Sequence, residues 1–152
     1  MKIKGLNERP AIGDNKKLKA RFLLFEKVLD ELNKKEIPDE IVGAINSQID
    51  EVNAATDEEK GLKTKLKKSQ NIILKLVEKE LKFVTINHYR NLYLGVGLAL
   101  GVAFGSAFGA SLGNMAFMGV GLPIGMAIGI AIGTQKDKEA KESGKQLDLE
   151  IK

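Results

Sequence analysis

Gly97–Gly133 reads GLALGVAFGSAFGASLGNMAFMGVGLPIGMAIGIAIG, and the reading of this stretch decides the fold class. Glycine returns at every fourth position in two series. The first is Gly97, Gly101, Gly105, Gly109 and Gly113; the second is Gly121, Gly125, Gly129 and Gly133. The surrounding segment, 91–135, carries no charged side chain. In a helix exposed to water each glycine costs about 1 kcal/mol relative to alanine. Nine of them argue against helices that stand in water. A bilayer core contains no water to compete for backbone hydrogen bonds, so a helix persists there. Rows of small residues also let two membrane helices approach closely. The expectation is a transmembrane hairpin over 91–135, packed through glycine.

The flanks agree with a hairpin. A first span over 92–112 would reach about 31 Å, close to the thickness of a hydrocarbon core. Gly113-Asn114 supplies the turn. The second span, Met115 to Thr134, contains Pro123 and is expected to be kinked or in two pieces; the alternative is a helix that begins near Pro123 and continues past Lys136. Lys79, Lys82 and Arg90 precede the hairpin, Lys136, Lys138 and Lys141 follow it, and the turn is uncharged. Basic residues stay on the cytoplasmic side, so both termini are expected there. Tyr89, Arg90, Tyr93, Lys136 and Lys138 fall at the expected membrane interface. Residues 136–152 read as a polar cytoplasmic tail. Its final alternation, Leu147-Asp-Leu-Glu-Ile151, suits a sheet edge, but a mobile tail is the expectation. Met1 to Gly13 has no apolar core of the length that a secretory signal needs.

The remaining sequence is soluble in character. Residues 1–90 hold 19 of the 24 Lys and Arg and 15 of the 20 Asp and Glu. Residues 1–13 read as irregular, with Pro10 and Gly13 as breakers. Residues 14–90 read as a helical domain of three helices, forming a bundle or a stalk. The first is capped by Asp14 or Asn15 and carries Leu18, Phe22, Phe25, Leu29 and Leu32 at alternating steps of four and three. It should stop near Lys35, ahead of Pro38. Pro38-Asp39-Glu40 opens a second helix, whose apolar face is Ile41, Val42, Ile45, Ile49 and Val52. Thr56 to Glu59 reads as a capping box for a third. That helix carries Leu62, Leu66, Ile73, Leu76, Val77, Leu81 and Val84, and with no stop signal in view it is expected to run on into the membrane. The whole chain is therefore all-α.

No catalytic constellation emerges, and the chain is not expected to be an enzyme. Cysteine is absent and His88 is the single histidine, which removes Cys/His chemistry and multi-ligand zinc sites. His88 reads as a polar residue at headgroup level. Asp57-Glu58-Glu59 reads as a helix start rather than a metal site. Gly144-Lys145 lacks the glycine spacing of a phosphate loop, as does Gly95-Val-Gly97. No cofactor and no metal are expected. Lys63, Lys65, Lys67 and Lys68 crowd the third helix, where contact with lipid headgroups is the functional reading. Nucleic acid is not expected as a partner, because acids are scattered through the helices and aromatic residues are not interleaved with the basic ones.

In GLALGVAFGSAFGASLG, GVGLPIGMAIGIAIG and the basic QKDKEAKESGKQL that follows, the chain resembles bacterial glycine-zipper family membrane proteins. The resemblance covers about a third of the chain. It implies a glycine-zipper hairpin in a bacterial inner membrane and, by analogy with channels and pore-forming toxins, a homo-oligomer. Two glycine stripes exceed what one intramolecular contact needs, so self-association is expected, with Leu98, Val102, Phe104, Phe108, Ile128 and Ile132 facing lipid. The leading expectation is an oligomeric membrane assembly, a pore or channel. Its alternatives are a non-conducting anchor presenting residues 14–90 to a cytoplasmic partner, and a glycine-zipper segment kept soluble before insertion. A pore lining would have only Ser106, Ser111, Asn114 and exposed glycine backbone to offer.

Overall fold

A computed structural model describes residues 2–9, 12, 15–56 and 59–151. The protein is all-helical apart from one minimal sheet. The elements are α1 (Lys16–Asn33), α2 (Asp39–Asn53), α3 (Glu59–Leu81), β1 (Val84–Thr85), α4 (His88–Leu112), α5 (Ala116–Glu142) and β2 (Gln146–Leu147). β1 and β2 pair as a two-stranded sheet. The chain divides into two compact units. Unit 1 is Met1–Val84 with Leu147–Leu149, and unit 2 is Thr85–Gln146 with Glu150–Lys152. Unit 2 is thus inserted in the sequence of unit 1.

Unit 1 follows the ordinary rule of apolar burial. Asn15 caps α1, its side chain accepting from the backbone N–H groups of Lys17 at 2.9 Å and Leu18 at 3.0 Å. Asp14, the other expected cap, lies outside the described residues. All five seam positions of α1 are buried, joined by Val28, whereas Leu23 is exposed. α2 begins after Pro38 and buries Val42, Ile45, Ile49 and Val52. α3 packs against both α1 and α2 through Leu62, Leu66, Ile73 and Val77. The box expected at Thr56–Glu59 lies partly outside the described residues.

The N-terminal segment is tied to α2. Asn46 is buried and bridges it, accepting from Lys4 N at 2.8 Å and donating to Lys2 O at 3.1 Å. Arg9 donates to the carbonyls of Val52, Asn53 and Ala55 at 2.9, 2.7 and 2.6 Å. These are carbonyls at the end of α2, which have no acceptor role inside the helix. A guanidinium placed there also complements the negative end of the helix dipole.

Two expectations about continuity are corrected. α3 does not run on toward the hairpin. It ends at Leu81 because Lys82 adopts a left-handed conformation, φ 60°. Lys82 N then donates to Glu78 O at 3.1 Å and Phe83 N to Val77 O at 3.2 Å. The first of these bonds is the αL closure of a helix C-terminus, made here without glycine. Val84-Thr85-Ile86 follows, a β-branched run that favours extended backbone. Asn87, at φ 61°, turns the chain into α4. The second correction concerns Pro123. α5 is one helix with Pro123 inside, starting next to Met115 as expected, so Pro123 does not begin the span and does not split it into two pieces. The polar stretch after it differs as well: α5 continues through Glu142, and Leu147 and Leu149 are buried. Of the alternating end of the chain, Leu147 closes β2 and Leu149 is buried beyond it, so this stretch is packed rather than loose. Asp148 N donates to Glu31 at 3.0 Å.

Candidate functional site

α4 has 25 residues and α5 has 27, about 38 and 40 Å at 1.5 Å per residue. Both are long and apolar enough to cross a membrane. They pack as an antiparallel pair. The buried residues of α4 are Gly97, Gly101, Gly105 and Gly109; those of α5 are Gly125, Gly129, Gly133, Asp137 and Ala140.

The two glycine rows meet each other. A methyl group at Gly97 would overlap the carbonyl oxygen of Gly125, and one at Gly125 would overlap that of Gly97. Gly101 and Gly121 obstruct each other in the same reciprocal way. A methyl at Gly129 would strike Tyr93 O, and one at Gly133 would lie 2.5 Å from Arg90 Cα. At Gly105 the obstacle is Met118 Cα, at 2.8 Å. Each obstacle is backbone, which cannot swing aside. The contact runs from Gly133 against Arg90 to Gly109 beside the turn. A stripe of four-residue spacing drifts about 40° per step on a helix of 3.6 residues per turn. Holding it against a partner over this length suits helices that wind around each other in the right-handed sense.

Gly113 does not belong to the contact. It takes φ 67° as the cap of α4, and a side chain there would meet nothing within 4 Å. The row of α5, by contrast, has a further member that glycine spacing alone did not reveal. Four residues beyond Gly133 lies Asp137, buried, with Oδ1 accepting from Tyr89 N and Oδ2 from Arg90 N, both at 2.9 Å. The first turn of α4 contains no acid, and Asn87 makes no side-chain cap. Asp137 therefore supplies from α5 the carboxylate that the positive end of α4 lacks. Its signal in the sequence was the next step of the row: 121, 125, 129, 133, 137.

The expected interface residues gather at this end. Lys136 Nζ lies 6.0 Å from the ring centres of both Tyr89 and Tyr93. His88 meets Tyr89 edge to face at 5.0 Å. Arg90 and Lys138 are exposed. Asn87 Nδ2 donates to Glu150 Oε1 at 3.1 Å.

The large apolar side chains point outward. Phe104 is 61% exposed, Phe108 58% and Ile128 55%, with Leu98 and Ile132 also exposed and Val102 half-buried. Along one face the glycines floor a groove of about 330 Å³ walled by Leu100, Phe104, Phe108, Phe117, Ile124 and Ile128. The spans' few hydroxyls serve their own helix. Ser106 Oγ donates to Val102 O at 2.7 Å and Ser111 Oγ to Ala107 O at 2.9 Å. Asn114 Oδ1 accepts from Ala116 N at the turn.

The four expected headgroup lysines lie on α3 of unit 1 and separate into types. Lys65 pairs with Glu51. Lys63 lines a shallow cavity with residues of α1. Lys67 and Lys68 are exposed. Among the described residues no group of three His, Cys, Asp or Glu could hold a metal ion. No protein-family model, curated protein or solved structure matches the chain.

Proposed function

We propose that the protein is a membrane-anchored helical module whose hairpin is closed upon itself, and that the anchor presents unit 1 to a cytoplasmic partner. The observation that carries this reading is the meeting of the two glycine rows within one chain. Both glycine stripes are used within the hairpin, each facing the other. What remains outward is a dry surface of Phe, Leu and Ile, suited to lipid tails. Arg90, Lys136 and Lys138 at the open end, with an uncharged turn at the other, support a cytoplasmic position for both termini.

The oligomeric reading rests on the groove rather than the glycine rows, since its glycine floor leaves room for a helix of another copy. A conducting pore has less support, because Ser106 and Ser111 already donate within their helix.

Light scattering in detergent tests both, alongside alkaline extraction of membranes. The expected result is a chain that stays in the membrane pellet and has a monomer mass of 16.6 kDa after subtraction of detergent. A chain soluble without detergent would overturn the membrane reading. An oligomer that loses mass on Phe104→Ala or Ile128→Ala, both in the groove walls, would overturn the self-contained hairpin and return the oligomer to the lead.

A further inference from the structure

Some cations of unit 1 are matched with acids from another element or turn. Lys4 Nζ lies 2.7 Å from Asp50, Lys65 pairs with Glu51, and Lys34 pairs with Glu31. Two stretches carry cations with no acid among them. From Asn15 to Phe25, α1 and its cap carry Lys16, Lys17, Lys19 and Arg21 and no acid. From Lys60 to Val77, α3 carries six lysines and no acid. The two acid-free runs lie on helices that pack together. Where they meet, Lys17 and Arg21 of α1 and Lys63 of α3 line a cavity of about 310 Å³, with Ala20 and Leu24 completing it. No hydrogen bond or ion pair engages these three side chains among the described residues.

Like charges one helical turn apart, as Lys17 and Arg21 are, destabilise a helix slightly. A third cation added from a neighbouring helix increases the repulsion. An anion in the cavity would reverse its sign. We infer that the Lys17–Arg21–Lys63 cavity is a binding site for a phosphate group. A guanidinium offers a planar fork to two phosphate oxygens, and the two ammonium groups supply mobile point charges around it. Ala20 leaves space beside Arg21 that a longer side chain would fill. A carboxylate would satisfy fewer of these donors than a tetrahedral group with three terminal oxygens. The source is either a lipid headgroup or a free phosphate compound. The site lies wholly within unit 1, so it stands whether or not the anchor reading does.

The test is residue-resolved acetylation of the full chain in phosphatidylcholine nanodiscs, read by mass spectrometry at constant ionic strength. Inorganic phosphate is titrated in one arm; in the other, phosphatidic acid is added to the nanodisc lipid. The expected result is saturable protection of Lys17 and Lys63 while exposed Lys75 reacts unchanged. Protection by inorganic phosphate identifies a free-phosphate site, and protection only by phosphatidic acid identifies a headgroup site. Arg21→Ala should raise the half-protecting concentration about tenfold, as expected for one charge-assisted hydrogen bond. Should that variant lose its helical circular dichroism, Lys63→Gln, at an exposed position, tests the same loss through protection of Lys17. No protection in either arm, or equal protection of Lys75, would overturn the site and leave a solvated basic face.

Discussion

The two units bury opposite kinds of residue. Unit 1 encloses Phe25, Leu32, Ile45, Ile49 and Leu66 and turns lysines and glutamates outward. The α4–α5 hairpin encloses glycine and turns Phe104, Phe108, Ile124 and Ile128 outward. In water the first arrangement is stabilised by removing apolar surface, about 25 cal/mol per Å². The second gains little from that source. It is held by close backbone packing, which glycine permits and every larger residue prevents. One chain thus contains two solutions to helix packing, one that buries large apolar side chains and one that buries glycine.

The sharpest way to break the contrast is to exchange the chemistry of the two cores. Phe25→Ala should destabilise unit 1 by about 3–5 kcal/mol, seen as an earlier urea transition of its helices, with the hairpin transition unmoved. Gly125→Leu should do the converse. A leucine cannot fit against the Gly97 carbonyl, and overpacking of this kind costs about 1–3 kcal/mol or more. Its readout is a thiol cross-link between Tyr93→Cys and Ile130→Cys in this otherwise cysteine-free chain. The link should form readily in the parent and fail in Gly125→Leu. A cross-link that survives would mean the helices are held by something other than the glycine contact.

A smaller effect is expected at the polar end of the hairpin. Asp137→Ala removes the cap of α4 and should cost about 0.5–2 kcal/mol. Amide hydrogen exchange should quicken at Tyr89 and Arg90 while the amides near Gly105 hold their rate. Uniform quickening would show that Asp137 supports the whole hairpin and not its first turn.

The smallest effect belongs to the C-terminal strap in unit 1. Its ion pair with Lys34 and the Asp148 N–H together hold the Glu31 carboxyl below the usual carboxylate range, the Lys34 bond contributing most. A depressed pKa stabilises the folded form above the unfolded value and ceases to do so as pH falls through the folded value. Protection of the Asp148 amide, its exchange rate taken relative to the unfolded chain at the same pH, should therefore fall on acidification below the ordinary carboxylate range. In Glu31→Gln the protection should be lower at neutral pH, and its fall on acidification should be lost. An unchanged pH profile in the variant would assign the protection to Leu147 and Leu149 burial instead.

Much of this was legible in the residues. The 4-3-4-3 seam of α1 is buried, as is most of the apolar face of α2 and of α3, with Ile41, Leu76 and Leu81 half-buried, because periodicity fixes which side of a helix can be covered. Both long apolar helices and the Gly113 turn could be read the same way. The α3–α4 break was harder to see, because its left-handed residues are Lys82 and Asn87, where glycine is the usual marker. The β-branched run Val84-Thr85-Ile86 was the signal available. Among site residues, the glycine rows stood out by spacing, whereas Asp137 was hidden in a charged stretch that resembled a polar tail.

By itself the sequence determined the all-helical class, the apolar faces, and the presence of two helices long enough to span a bilayer. These depend on local periodicity and on runs of one chemical character, which the order of residues contains. Only the tertiary structure decided what each glycine row faces, which carboxylate caps α4, and which lysines remain without an acid beside them. Those depend on residues far apart in the chain meeting at a particular register. A stripe of glycine permits close approach by any helix; the choice of partner is made by the short turn at Gly113-Asn114 and by Asp137 seated on the amides of Tyr89 and Arg90.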